Sequence, residues 1–193
     1  MPKALIFWDV DDVLNNLMYL CINSTAQTIK KGIKYSDLRH NPPLEELGCE
    51  REVFTQQLDL CRTLATETMA PRPELLCFFK NYGKYFRSAA LTAAPITMAP
   101  LSSSWVLKHF GTWIHSVTFV PSPRKGVDTA DSIFSSKAEA VIALGGILVD
   151  DSPHNVESVW ASGGKAFYFP APWNPNRNLS IHDFLQQLLK EVI

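Results

Sequence analysis

The sequence lacks a surplus of charge of either sign. It has 18 Lys and Arg against 19 Asp and Glu among its 193 residues, and only 19% of its residues are charged. Without an excess of basic residues, a dedicated nucleic-acid binder is disfavoured. Because 46% of the residues are hydrophobic, intrinsic disorder is excluded. Length and composition are typical of one soluble domain with room for a small appendage.

Long hydrophobic runs are also missing. The longest uninterrupted apolar stretch, residues 140–149, is about half of the roughly 20 residues that a membrane-spanning helix needs. The apolar run 4–8 is stopped by acids, and it is shorter than the ~7–15-residue core of a secretory signal. We therefore expect no membrane partner and no secretory leader.

Paired cysteine motifs are a third absence. None of the four cysteines stands in C-x-x-C spacing, and all of them fall in the first part of the chain: Cys21, Cys49, Cys61 and Cys77. Such a pattern favours buried thiols over disulfides or a zinc site. The sequence thus predicts a protein of the reducing cytoplasm.

Short apolar runs of strand length recur along the chain, separated by segments of helical periodicity. This alternation predicts an α/β fold, a Rossmann-like parallel sheet of about five strands with flanking helices. Capping boxes at Ser136-x-x-Glu139 and Ser180-x-x-Asp183 begin two of the helices, the first at Lys137. The predicted strands are 4–8, 85–91, 117–120, 147–149 and 166–169.

One region interrupts this alternation. Segments 15–31 and 50–70 have helical periodicity, the Asn41-Pro42-Pro43 turn separates them, and no strand pattern lies between. We therefore predict a core domain of residues 1–14 and 71–193, with residues 15–70 as a small helical cap inserted after the first strand.

Acidic residues concentrate at the ends of two predicted strands. Asp9, Asp11 and Asp12 follow the first strand, and Asp150 and Asp151 follow strand 147–149. The carboxyl ends of parallel strands meet at the edge of the sheet where ligands bind. Carboxylates crowded beside an apolar core need a cation or a shared proton, and a metal is the simplest of these because Mg²⁺ prefers such oxygen ligands. The alternative is a pair of solvated turns with a helix-capping Asp.

These residues carry a resemblance to a known family. Segment 6–14, IFWDVDDVL, resembles the first motif of the haloacid dehalogenase superfamily, a hydrophobic run followed by D-x-D. Ala90-Leu91-Thr92 is similar to the second motif, and Lys137 at the start of a capped helix is similar to the third. Leu148-Val149-Asp150-Asp151 is similar to the fourth in its double-Asp form. The four occur in the family's order.

The resemblance implies a Mg²⁺-dependent phosphomonoester hydrolase that acts through an aspartyl-phosphate. In that family pattern Asp9 is the nucleophile, and Asp11 is the general acid and base. The substrate phosphate would be bound by Thr92, Ala93 and Lys137. The metal would be held by Asp9 and Asp150 through side chains and Asp11 through its backbone carbonyl, with Asp151 as outer support.

A second lysine competes for the phosphate-binding role. Lys125, in Pro123-Arg124-Lys125-Gly126, directly follows the third predicted strand and could also reach the site. We favour Lys137 because its position matches the third motif. A positive charge is also disfavoured by the helix dipole at a helix N-terminus, so Lys137 has no structural advantage there that would explain its presence. The alternative for both residues is a solvated surface lysine.

Within the superfamily the chain is most similar to the 5'(3')-deoxyribonucleotidases and bacterial 5'-nucleotidases. The shared patterns are D-x-D-x-V-L at 9–14, T-x-x-P at 92–95, K-x-F-G at 108–111 and D-D-x-P at 150–153. The chain departs at Ala93, where a hydroxyl is common, and at Ser152, where Arg is common. Asp12 stands where many members have Gly. This similarity implies a nucleoside monophosphate substrate.

The cap would select the leaving group. Its aromatic residues Tyr19, Tyr35 and Phe54 could stack on a base, with core packing as the alternative. A sugar-phosphate or other small-metabolite phosphatase would share every catalytic residue. A polynucleotide end phosphatase would need a basic track, for which the sequence has only Lys30, Lys31 and Lys34. A non-catalytic binding protein is the remaining class.

Overall fold

A computed structural model describes residues 3–23, 32–122 and 132–193. Five parallel strands form one sheet in the order β3-β2-β1-β4-β5. The strands are β1 (Leu5–Trp8), β2 (Arg87–Thr92), β3 (Ile114–Phe119), β4 (Ile147–Asp150) and β5 (Lys165–Tyr168). The predicted α/β fold with a Rossmann-like parallel sheet is confirmed.

Eight α-helices connect the strands and cover the sheet within the described residues. The helices are α1 (Leu17–Asn23), α2 (Leu44–Leu47), α3 (Arg51–Ala65), α4 (Pro73–Tyr82), α5 (Ala99–Phe110), α6 (Lys137–Leu144), α7 (Pro153–Ala161) and α8 (Ile181–Val192). The predicted helix at Lys137 begins at that residue, because the Ser136 hydroxyl accepts the Glu139 N–H. Helix α8 begins in the same way, with Ser180 accepting from Asp183.

The central strand β1 is buried on both faces. Ile6 and Trp8 pack in a cluster with residues of α4, α5 and α8, whereas Phe7 packs against residues of α6 and α7. None of the three is more than 2% exposed. Because successive side chains of a strand point to opposite faces, an unbroken apolar run suits a strand with helices on both sides.

The edge strand β3 differs most from its prediction. It begins at Ile114 rather than at residue 117. The sequence pattern missed its first residues because the exposed His115 and Ser116 interrupt the apolar run. An edge strand is paired on one side only, so polar side chains are tolerated there. The other predicted strands overlap their observed counterparts closely.

Residues 15–70 contain helices and no strand among the part that is described. Helix α1 occupies the first part of predicted segment 15–31, of which residues 24–31 lie outside the described residues, and α3 occupies most of segment 50–70. Leu14 precedes this region and Arg72 follows it, between the end of β1 and the start of α4. The Arg72 N–H donates to the Leu14 carbonyl at 3.0 Å, so both ends of this region meet at one point.

Across the described residues, no helix combines the length and apolar character required to cross a membrane.

Candidate active site

The candidate active site lies where three neighbouring strands end. Asp9 directly follows β1, Thr92 is the last residue of β2, and Asp150 is the last residue of β4. The Asp9 N–H continues the sheet by donating to the Val149 carbonyl at 2.9 Å. Because β1 lies between β2 and β4, residues that are far apart in sequence become neighbours at this edge.

Three carboxylates gather at this edge. Oxygen atoms of Asp9, Asp150 and Asp151 all lie within 4.8 Å of one another, and none of the three residues is more than 7% exposed. Burial raises the pKa of Asp9 well above its ordinary value. Lys137 opposes that rise, while Asp150 and Asp151 add to it. Burial also raises the pKa of Asp151, with the neighbouring Asp150 adding to the rise.

Lys137 supplies the positive charge of this cluster. Its Nζ lies 2.6 Å from Oδ1 of Asp9 and 2.7 Å from Oδ2 of Asp150, and the residue is 3% exposed. Although burial disfavours the ammonium ion, the two carboxylates hold the pKa of Lys137 above its usual value. The residue is therefore a buried ion-pair partner and not a surface lysine. The competing Lys125 lies outside the described residues.

Asp150 is held by the start of helix α7. The Ser152 N–H donates to its Oδ1 at 2.9 Å, and Asn155 Nδ2 lies 3.1 Å from each carboxylate oxygen. Asn155 was not predicted as a site residue from the sequence. The available signal was its place in the first turn of a helix that directly follows β4, since such a turn faces the carboxyl edge of the sheet.

Asp151 is oriented by two residues from distant segments. Trp173 Nε1 donates to its Oδ2 at 2.9 Å, and Asn41 Nδ2 donates to the same oxygen at 3.1 Å. Trp173 lies in the loop between β5 and α8, and Asn41 lies before α2. Neither was selected from the sequence, where no spacing relates them to Asp151.

Asp11 is paired with an arginine from helix α3. Arg62 donates to Oδ2 of Asp11 through Nη2 at 2.7 Å and Nε at 3.2 Å, and Asn15 Nδ2 donates to Oδ1 at 3.1 Å. Arg62 also pairs with Asp59 and is only 3% exposed. It too was missed. The signal was a basic residue one helical turn after Leu58, on the apolar stripe of α3.

Asp12 lies before α1 and its side chain caps the first turn of that helix. Its backbone is left-handed, with φ of 62°, and its Oδ1 accepts the Met18 N–H at 2.9 Å. The guanidinium of Arg72 contacts the Asp12 carbonyl at 3.1 Å. Burial raises the pKa of Asp12 to about 7, with Arg72 opposing and Asp11 adding to the rise. This carboxylate thus supplies a hydrogen-bond acceptor to the N-terminus of a helix.

A cleft of about 180 Å³ opens onto these groups. Thr92 lies in its wall, and the Thr92 Oγ1 accepts the Ala94 N–H at 3.1 Å. Asp150 is fully buried and contacts Lys137, but it does not line the cleft. The predicted site residues that line the cleft are Asp9, Asp11, Thr92, Ala93, Lys137 and Asp151, and they are joined there by Asp12, Met18, Asn41, Leu58, Arg62, Ala94, Ser152 and Asn155.

The donor set fits a hard divalent cation. The three clustered side chains offer only carboxylate oxygens, which Mg²⁺ prefers. One lysine faces three buried acids, and burial together with the neighbouring carboxylates raises the pKa of Asp9 and of Asp151. A bound cation would favour the ionised carboxylates, so Asp9, Asp150 and Asp151 are the side chains that could hold it.

No protein-family model matches the chain, and no curated protein matches it by sequence. Solved structures do match its fold over nearly the whole length. A "predicted phosphatase" from Clostridium acetobutylicum superposes with a TM-score of 0.59 at 12% identity, covering 98% of this chain and 100% of that one. A haloacid dehalogenase-like hydrolase from Streptococcus pneumoniae gives a TM-score of 0.58 at 8% identity, covering 98% of both chains.

A further match is a Bacillus subtilis HAD-hydrolase that was solved with bound magnesium. Its TM-score is 0.50 at 10% identity, and the match covers 88% of this chain and 87% of that one. At such identities these likenesses establish a shared fold. The chain thus has the Rossmann-like fold of the haloacid dehalogenase superfamily hydrolases.

Proposed function

We propose that the protein is a Mg²⁺-dependent phosphomonoester hydrolase that forms an aspartyl-phosphate on Asp9. The observation that carries this proposal is the joint presence of three clustered carboxylates and the buried Lys137 at the rim of one cleft. A structural ion pair alone has no need for three adjacent acids and one lysine at the ligand-binding edge of a parallel sheet. The magnesium-bound hydrolase of the same fold is consistent with this choice of metal.

Asp9 is the proposed nucleophile. Its carboxylate lies at the cleft, and its contact with Lys137 keeps one oxygen oriented. The other oxygen attacks phosphorus, and the leaving group departs on the opposite side. The bound metal, held by Asp9, Asp150, Asp151 and the backbone carbonyl of Asp11, would screen the charges of nucleophile and phosphoryl group.

Thr92, Ala93 and Lys137 are the proposed phosphate-binding residues. The Thr92 oxygen accepts the Ala94 N–H, so its own O–H is available to donate to a phosphoryl oxygen. The backbone of Ala93 lies beside it at the end of β2. Fixed donors of this kind replace the hydration of the phosphoryl group without reorganisation during the reaction.

Asp11 is the proposed acid and base. Both of its oxygens accept hydrogen bonds in the described arrangement, Oδ2 from Arg62 and Oδ1 from Asn15. To carry a proton to the leaving group, the carboxyl has to give up one of these bonds. Because the Arg62 contact comes from α3, we infer that substrate binding opens the ion pair between Asp11 and Arg62.

Residues 15–70 are the proposed cap over this cleft. The hydrogen bond between Arg72 and Leu14 joins the two ends of the segment, as expected of an insertion into a core of residues 1–14 and 71–193. Its side chains line the leaving-group side of the cleft: Met18, Asn41, Leu58 and Arg62.

The proposed substrate is a small phosphorylated metabolite. The nucleotide implied by sequence similarity would need a base-stacking surface. However, Phe54 is buried in the core of the cap, and Tyr35 packs against Tyr19 and Trp173. The described residues of the cap instead offer the cleft an arginine, an amide and two apolar side chains. This composition favours the alternative of a compact polar leaving group, as in a sugar phosphate.

None of the four cysteines forms a disulfide, which supports a reducing, cytoplasmic setting. A polynucleotide substrate would need a basic track, for which Lys34 is exposed while Lys30 and Lys31 lie outside the described residues.

The test is phosphate release from a panel of sugar phosphates, deoxynucleoside monophosphates and 3'-phosphorylated oligonucleotides, with Mg²⁺ and with EDTA. We expect release that requires Mg²⁺ and falls by at least ~10³-fold in Asp9→Asn, with sugar phosphates turned over fastest. Glu191→Gln, the same carboxylate-to-amide change at an exposed site, is the matched control and should retain activity.

Activity that survives in Asp9→Asn, or in EDTA, would contradict the mechanism. Faster release from deoxynucleoside monophosphates than from sugar phosphates would contradict the proposed substrate and support the nucleotide implied by sequence similarity. No release from any substrate, together with Mg²⁺-dependent binding of phosphate esters, would identify a binding protein.

A further inference from the structure

We propose that Cys21 and Cys61 form a site of reversible oxidation that closes to a disulfide between α1 and α3. The Sγ atoms of these two residues lie 3.0 Å apart, although 40 positions separate them in sequence. Both residues are buried, and neither is part of the candidate active site. A disulfide bond is about 2.05 Å long, so the two sulfur atoms need to approach by only about 1 Å.

The two thiols differ in access. Cys61 lines a groove of about 320 Å³ between α1 and α3, together with residues such as Leu20, Gln57 and Leu64, whereas Cys21 does not line it and is more deeply buried. A small neutral oxidant such as hydrogen peroxide can therefore meet Cys61 first. Cys21 is then placed to react with the oxidised sulfur before a second oxidant molecule arrives.

The two thiols also differ in reactivity. The hydrogen-bonding contact with Cys21 favours the Cys61 thiolate, burial opposes its formation, and Gln57 and the neighbouring Arg62 favour it. The pKa of Cys61 is lowered to about 7. The contact with Cys61 and burial raise the pKa of Cys21. Because the thiolate is the nucleophilic form, Cys61 is the attacking residue and Cys21 the resolving one.

The chemistry balances with hydrogen peroxide as the oxidant. The Cys61 thiolate attacks one peroxide oxygen, an S–O bond forms as the O–O bond breaks, and the departing hydroxide takes a proton to leave as water. The Cys21 sulfur then attacks the sulfenic sulfur, an S–S bond forms as the S–O bond breaks, and the Cys21 proton leaves in a second water. Two thiols lose two electrons in total, and one peroxide becomes two waters.

The cross-link would tie α1 to α3 directly beside Arg62, the residue that follows Cys61 and binds Asp11. The other two cysteines are elsewhere, Cys49 in the loop before α3 and Cys77 exposed on α4. The proposal concerns the thiols alone, so it can be tested whether or not the protein is a phosphatase.

The experiment uses the full chain carrying Cys49→Ser and Cys77→Ser, treated with a slight excess of hydrogen peroxide in the folded state. We expect loss of both remaining thiols, a mass decrease of about 2 Da, and one proteolytic species that joins the peptides containing Cys21 and Cys61. Dithiothreitol should restore both thiols. Peptide mapping of the unmodified chain should find the same linked species, which guards against an effect of the two serine substitutions.

Two variants in the same background separate the roles of the thiols. With Cys21→Ser, Cys61 should stop at the sulfenic acid, with a mass increase of about 16 Da that dimedone traps. With Cys61→Ser, the reaction with peroxide should slow at least tenfold. Far-UV circular dichroism checks that each variant is folded. Equal reactivity of Cys61→Ser and its parent, or sulfinic acid on Cys61 without any linked peptide, would overturn the proposal.

Discussion

Asp12 provides a side-chain hydrogen bond that the fold requires, but its negative charge is unfavourable where it is buried. Its left-handed backbone ends the turn after β1, and its carboxylate accepts the Met18 N–H at the start of α1. The same side chain is 5% exposed and lies near Asp11. An acceptor is needed at this position, but a negative charge is not.

We expect Asp12→Asn to stabilise the protein as the pH rises. Burial raises the pKa of Asp12 to about 7, so the folded state binds this proton more tightly than the unfolded state. The stability due to the proton is fully present below the ordinary pKa of an Asp side chain, about 4, and is lost progressively as the pH rises from there through about 7. Asparagine keeps an acceptor oxygen and does not ionise. Between pH 5 and pH 8 the stability of the variant relative to wild type should increase by about 2 kcal/mol.

This change is measured by urea unfolding in EDTA at both pH values. The exposed Glu45→Gln on α2 serves as the matched carboxylate-to-amide control and should show no such trend. A stability difference between Asp12→Asn and wild type that stays constant with pH would contradict the assignment.

Lys137 is the second residue whose charge can be tested by itself. Lys137→Met leaves Asp9 and Asp150 buried without their cation, and breaking a buried ion pair from one side costs about 3–5 kcal/mol. The control is Lys165→Met, because Lys165 pairs with Glu191 at 2.7 Å on the exposed surface, where such pairs contribute about 0–1 kcal/mol. Urea unfolding in EDTA should separate the two variants clearly. Similar losses in both would mean that Lys137 is not a charge partner of the acids.

Residues at strand ends could be predicted from the sequence, whereas their partners could not. Asp9, Thr92 and Asp150 follow apolar runs, and parallel strands necessarily bring such ends together. Arg62, Asn41 and Trp173 reach the site from other segments, and their positions depend on how helices and loops pack. A single sequence contains no period or spacing that relates Arg62 to Asp11.

At the scale of elements, the connection between α6 and β4 sets the position of Asp150. Gly145 ends α6 with a left-handed backbone of φ 63° and has open space around it. Gly146 follows with an ordinary φ, but a Cβ there would overlap the ring of Phe7 on β1. The two adjacent glycines are therefore required for different reasons, backbone conformation in one case and close packing in the other.

We expect Gly146→Ala to be more harmful than Gly145→Ala. Alanine in the left-handed region costs about 1 kcal/mol, and nothing near Gly145 has to move. At Gly146 the added methyl group pushes Phe7 and hence β1 away from β4, and such overpacking costs roughly 1–3 kcal/mol. Because β1 leads into Asp9, phosphate release should fall in Gly146→Ala and stay near wild type in Gly145→Ala. Urea midpoints and the phosphate assay check both parts, and the reverse order would contradict this packing argument.

Helices and strands could be predicted from the sequence where their burial follows a regular pattern or where a capping signal marks their start. The buried strands and the capped helices α6 and α8 follow from apolar runs and from Ser-x-x-Glu or Ser-x-x-Asp signals. The edge strand β3 was less predictable, because its early residues are polar and exposed. The break at Asn41 was recognised from the sequence as a turn, but its contact with Asp151 arises from the tertiary fold.

At the scale of the whole molecule, a net charge of −1 conceals an uneven distribution. The interior at one edge of the sheet holds three clustered carboxylates and one lysine, and the nearby Arg62 pairs with Asp11 and Asp59 instead. The folded state therefore carries an unfavourable local charge that the unfolded chain, in which these acids are solvated, does not have. A cation that binds only the folded state offsets this negative charge and shifts the equilibrium towards the folded state.

We expect Mg²⁺ to raise the melting temperature of the wild-type protein at constant ionic strength. Binding to the folded state alone adds about 2.7 kcal/mol at a hundredfold excess over Kd, and each kcal/mol corresponds to roughly 2–4 °C for a chain of this size. Thermal unfolding followed by circular dichroism over a Mg²⁺ titration, with KCl replaced to hold ionic strength, measures the shift. Asp150→Asn should lose most of the increase, because it removes a ligand that is fully buried in the cluster. Glu191→Gln, which removes an exposed carboxylate, should keep the increase. If both variants respond as wild type does, the stabilising cation binds somewhere other than this cluster.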